Sequence, residues 1–115
     1  MTSNVTINWI GKSGFLFKYW VYPIGTIFEE GPINFIFAKE TKPDFLKPIY
    51  IGETESFSEQ INDHNKKPCL EQNGATHIAA HKGSTSDRLR CAEKKDLINN
   101  YDPICNIHSL FSEIL

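Results

Sequence analysis

The sequence predicts an α+β domain in which a small mixed β-sheet is flanked by helices. Strand-like apolar runs, alternating or rich in aromatic and β-branched residues, fill the first half of the chain and return at Ala75–His81, which is the period-two signature of a half-buried sheet. Helical spacing enters only after Ser56 and again from Arg88. The length, 115 residues, is that of one domain, so residues 1–115 are expected to share one core.

Taken in order, "VTINWI" (Val5–Ile10) alternates as a strand, and "KSG" turns the chain. "FLFKYWVY" (Phe15–Tyr22) is a second strand, too aromatic to face water on both sides. Pro23, Gly25, Gly31 and Pro32 break the pattern before a third strand, "INFIFAK" (Ile33–Lys39). "ETKPDFLKP" reads as a loop kept from helix by Pro43 and Pro48, and "IYIG" (Ile49–Gly52) as a short central strand. From Ser56, a capping residue with Glu59 three positions on, Phe57, Ile61 and His64 share a helical face. A short helical turn around "CLEQNG" ends at Gly74 and the strand "ATHIAAH" follows. Ser86 or Asp87 caps the main helix, "RLRCAEKKDLINNY", whose inward candidates are Leu89, Ala92, Leu97 and Ile98, and Pro103 stops it. The tail "IHSLFSEIL" has the pattern of one more short helix. Buried area is expected from Phe35, Phe37, Ile49, Ile51, Leu97 and Ile98.

A net charge of −2 argues against tight non-specific binding to a phosphate backbone, which needs a basic face. The charge is uneven. Glu29, Glu30, Glu53, Glu55 and Glu59 make the first half acidic, while Lys66, Lys67, Lys82, Arg88, Arg90, Lys94 and Lys95 make the later half basic. A modest phosphate-binding surface is open to Arg88, Arg90, Lys94 and Lys95 if they gather on one face; the plainer reading is a solvated helix face. Three cysteines (Cys69, Cys91, Cys105) with no CxxC pair fit reduced thiols better than a disulfide framework. With no apolar run of about 18 residues and no basic-then-apolar leader, the chain is expected to be cytoplasmic, with no membrane partner.

Five pieces stand in one order: "FKYWVYPIGTIFEEG", "YIGET", a helix ending "INDH", "NGATHI", and "DLI" followed by Tyr101, Pro103, Cys105 and Asn106. Together, from about Phe15 to Asn106, they resemble the GIY-YIG nuclease family. The resemblance implies phosphodiester hydrolysis with one divalent metal, Mg²⁺, which lowers the pKa of bound water while placed cations stabilise the phosphate. It also implies a site. Tyr50 and Gly52 fill the YIG element, His64 lies one helical turn beyond the arginine position, and Asn106 fits the closing asparagine. Three positions depart from the family. Its first tyrosine falls on Phe35, its phosphate-holding arginine on Gln60, and its metal-binding glutamate on Lys94, with Glu93 one residue off, about 100° round a helix.

Phe35 lacks a hydroxyl that could hold a proton, Gln60 lacks the charged fork, and Lys94 puts a cation where Mg²⁺ needs a hard oxygen. The resemblance, with these losses, predicts a catalytically impaired relative that keeps a cleft for nucleic acid or a nucleotide, with Mg²⁺ not bound. One alternative is an active or weakly active endonuclease using Tyr50, His64 and Glu93; another is a protein-interaction module using the same cleft. Outside the resemblance, His77 and His81 point to one strand face but lie far apart, so a zinc site with Cys69 or Cys91 has little to support it. Tyr19, Trp20 and Tyr22 read as core and hydrogen-bonded sheet rather than a base-stacking platform.

Overall fold

The structure is a computed structural model, and it describes residues 4–57 and 66–106. Among the described residues, five strands, β1 (Thr6–Ile10), β2 (Leu16–Pro23), β3 (Ile33–Lys42), β4 (Phe45–Thr54) and β5 (His77–Lys82), join two helices, α1 (Lys67–Gln72) and α2 (Asp87–Tyr101). The α+β class therefore holds. The sheet order is β1-β2-β5-β3-β4, and every pairing is antiparallel rather than mixed. The reason lies in the connections: β1–β2 and β3–β4 are hairpins, and β5 slots between β2 and β3 running against both.

Two strand expectations need correction. "ETKPDFLKP" is not a loop, because β3 and β4 continue to Lys42 and Phe45 and meet at a two-residue turn. Pro43 supplies a fixed φ and Asp44 sits at φ 68°, the arrangement of a type II turn. The "IYIG" segment is not central either; β4 is an edge strand, where Pro48 costs no ladder bond and Ile49 bulges out of register.

The side chains alternate between two layers. Trp9, Tyr19, Ile36, Ala38, Ile51, Ala79 and Leu97 pack together beneath α2. On the outer face Ile33, Phe35, Tyr50, Ile78 and Ala80 pack with Phe57, Cys69 and Cys105. Of the expected core, Phe35, Ile49, Ile51 and Leu97 are buried, and Phe37 and Ile98 half-buried. Ser86 caps α2, its Oγ accepting from the Leu89 N–H. Leu89 and Ala92 are exposed, not inward; the inward positions are Arg90, Glu93, Leu97 and Tyr101.

α2 and the segment that follows it cover both edges of the sheet. At β1, Ile10 N–H donates to the Tyr101 hydroxyl (2.9 Å) and the Ile10 carbonyl accepts from the Asn100 amide (2.7 Å). At β4, the Asn106 side chain takes the N–H and carbonyl of Ile51. The strands must curl to bring both edges to one helix. Gly11 permits the approach: a side chain there would collide with Asp96, which receives the Ser13 N–H and hydroxyl.

The thiols are not all reduced. Cys69 on α1 and Cys105 beyond α2 form a disulfide with Cα atoms 5.8 Å apart, leaving Cys91 free. The odd count hid a pair whose partners meet only after the chain passes around the β4 edge. Disulfides are rare in reducing compartments, so the cysteines no longer favour a cytoplasmic location. Among the described residues, no helix is long and apolar enough to cross a membrane.

Candidate functional site

Phe35 and Tyr50 share the outer face, with ring centroids 6.1 Å apart. Gly52 lies directly across the strands from Phe35, and a Cβ there would stand 2.6 Å from the Phe35 Cζ. The glycine of "YIG" is thus required by the ring laid over it. Phe35 is sealed by this contact and by Phe57 and Phe37, and Tyr50 is nearly so, with the Lys66 ammonium 5.2 Å from its ring. Gln60 and His64 lie outside the described residues. Asn106 sits at the β4 edge, bound to Ile51.

Glu93 and Lys94 stand elsewhere. They belong to α2, which packs through Leu97 on Ile36 and Ile51, the neighbours of Phe35 and Tyr50 that point the opposite way. The structure therefore brings Phe35, Tyr50 and Gly52 together and places Glu93 across the sheet from them.

Glu93 enters a cluster the sequence did not disclose. Its Oε2 accepts from the Tyr19 hydroxyl (2.7 Å) and meets His81 Nε2 at 2.6 Å. His81 Nδ1 lies 2.8 Å from the Lys82 carbonyl, which can only accept, so Nδ1 carries a proton. With a carboxylate on the other nitrogen, the ring lies between two acceptors, an arrangement that favours its protonated form. Burial works to lower the His81 pKa, but the hydrogen bond and charge of Glu93, with the Lys82 carbonyl, leave it raised. Burial, then the charge and hydrogen bond of Glu93, push the Tyr19 hydroxyl far above its ordinary value. Neither ring nitrogen is free to take a proton from a substrate, and Glu93 Oε2 has two donors already. His81 is also among the residues around a cavity of about 730 Å³, with Phe28, Ile33, Lys82 and Thr85, while its ring is held by Glu93.

This set does not fit Mg²⁺. An octahedral site needs several hard oxygens with open lone pairs, whereas Glu93 Oε2 is taken by the Tyr19 hydroxyl and His81 Nε2, with Lys94 next in the chain. Among the described residues no group of three or more His, Cys, Asp and Glu side chains is placed to hold a metal ion, the His77 and His81 pair included.

The four basic residues divide. Arg90 does not belong with surface cations: it is 3 % exposed, its Nε donates to Glu53 (2.9 Å), its Nη1 to the Ser84 carbonyl (2.6 Å) and its Nη2 to Asp87. The Asn34 amide, also buried, donates to the Arg90 carbonyl. Arg88 and Lys95 are exposed and Lys94 half-buried, and none of the three is in an ion pair among the described residues. The meeting of Tyr19 with His81 was not legible, since it depends on β5 entering beside β2, and Arg90 was legible as a cation but not as the buried partner of Glu53. No family model, curated protein or solved structure matches this chain.

Proposed function

We propose that the chain is a GIY-YIG-like domain that does not hydrolyse phosphodiesters and instead binds the phosphate backbone of a nucleic acid or nucleotide. The observation that carries the first half is the commitment of Glu93 to Tyr19 and His81, on the opposite side of the sheet from Tyr50. Lys94 cannot replace it as a ligand. The second half rests on the sequence resemblance and on the outer face of α2, where Arg88 and Lys95 lie two turns, about 10 Å, apart with Lys94 alongside. Because the chain is net negative, binding is expected to be weak and local.

The test is fluorescence anisotropy of a labelled DNA duplex across a KCl series, with a plasmid-nicking assay in Mg²⁺ and in Mn²⁺. Three cations predict a log–log salt slope of about −2.7, and Arg88→Ala with Lys95→Ala should remove about two-thirds of it. No nicking is expected. Binding indifferent to salt and to these substitutions overturns the binding half; nicking abolished by Glu93→Gln overturns the other. A protein-interaction role is the second reading, favoured by Phe15 and Leu16, which are 63 % and 55 % exposed on the β1–β2 hairpin.

A further inference from the structure

α2 leaves one end of its sheet face bare. β3 and β4 each run ten residues, about 33 Å, whereas the fifteen residues of α2 span about 22 Å. Its inward groups meet the sheet from Asn34 and Glu53 to Ile51 and Ile10. Beyond Ala38 and His77 the same face continues, among the described residues, without a helix over it, between the start of β1, the end of β2 and the β3–β4 turn. A cavity of about 480 Å³ lies there, within the range of small-molecule sites, and the open mouth of a curled sheet is a common place for one.

Its chemistry is one-sided. Val5, Ile7, Val21 and Leu46 supply apolar lining, and Glu40 and Asp44, both exposed and so at its rim, line it together with His77. The registers explain the assembly: His77 pairs with Ala38 on β3, and Glu40 with Leu46 on β4, so all point to one side. Among the described residues no lysine or arginine lines the cavity, and the neighbouring Lys42 is drawn over the Phe45 ring, 4.3 Å away. His77 Nδ1 is held by the Thr76 hydroxyl (2.8 Å), which also accepts from the Glu40 N–H. That chain fixes the imidazole and the start of the Glu40 arm together.

We infer that this cavity binds a small organic cation, an ammonium carried on an apolar body, with the body against Ile7, Val21 and Leu46 and the charge between Glu40 and Asp44. The wall supplies apolar contact and the rim supplies opposite charge. An anion of the same shape would meet two carboxylates. The site is distinct from α2's outer face, so it stands or falls apart from phosphate binding.

The experiment is a ¹⁵N–¹H titration of the intact chain with phenethylamine, 3-phenylpropan-1-ol and phenylacetate. The amine should shift the Val21, Glu40, Leu46 and His77 amides saturably, at least tenfold more tightly than the alcohol, and phenylacetate should not shift them. Glu40→Gln with Asp44→Asn, both exposed and so harmless to the core, should weaken the amine at least tenfold and leave the alcohol as before. Leu46→Trp should block both by filling the cavity. Equal affinity for amine and alcohol, amine binding unchanged in the double variant, or shifts confined to other amides each overturn the assignment.

Discussion

Asn106 grips Ile51 with both ends of its amide: Oδ1 accepts the Ile51 N–H at 2.7 Å and Nδ2 donates to the Ile51 carbonyl at 2.9 Å. One side chain thereby does the work of a neighbouring strand. Asn106→Ala should leave both backbone groups to water and cost about 1–2 kcal/mol. Amide exchange at Ile51 should quicken well before that of Ile36, its partner on β3. Unchanged exchange at Ile51 would mean that something other than Asn106 protects the edge.

That grip depends on the segment after α2, which Asp102 (φ 52°) and buried Pro103 turn toward Cys105. The Cys69–Cys105 bond closes a loop of 36 residues, for which the chain-entropy estimate is about 4 kcal/mol. Adding a reductant should lower the unfolding midpoint by a corresponding amount. Cys105→Ser should behave like the reduced protein, and Cys91→Ser like the oxidised one.

The His81–Glu93 pair gives stability a pH dependence of known sign. A histidine whose folded pKa is raised binds its proton more tightly in the native state, so its contribution is complete below about 6.5 and fades as pH rises through the folded value. Urea unfolding between pH 5.5 and 8.5 should show this decline, and His81→Gln should flatten it. Glu93→Ala should cost about 2–3 kcal/mol at neutral pH, because it strands the buried Tyr19 hydroxyl as well.

Arg90 should matter for folding rather than for ligand. Arg90→Ala leaves Glu53 and the Ser84 carbonyl without their partner, and loss of one member of a buried pair costs about 3–5 kcal/mol. Arg88→Ala, two positions earlier and exposed, should change stability by less than about 0.5 kcal/mol. Equal effects would contradict the separation of these two arginines.

A tyrosine at position 35 should harm the protein. Phe35 Cζ lies against Gly52 in a fully buried site, so Phe35→Tyr pushes a hydroxyl into that contact and should cost about 1–3 kcal/mol. A thermal melt measures this directly.

The strands were legible because each carries its own signal: Ile33–Lys39 and Ala75–His81 alternate within a few residues. Their order was not, since β5 pairs with β2 and β3 across tens of residues and nothing local marks that choice. Pro43 and Pro48 misled for a physical reason. A proline excludes helix, yet it suits a tight turn or an edge strand equally well. Arg90 misled because charge predicts exposure unless partners are known, and Glu53 is 37 residues away. Gly52 was recognised as part of "YIG", but only the Phe35 ring explains why it is glycine.

Both margins of the sheet are guarded by side chains from one stretch, Asn100 to Asn106. Edge strands with free peptide groups are templates for intermolecular pairing, and here the two templates are uncovered by a single event. Partial detachment of this stretch would open both margins at once to pairing with further copies of the chain. Variants that loosen Asn100, Tyr101 or Asn106 should therefore reveal themselves in fibril growth or precipitation before they lower the melting temperature by much.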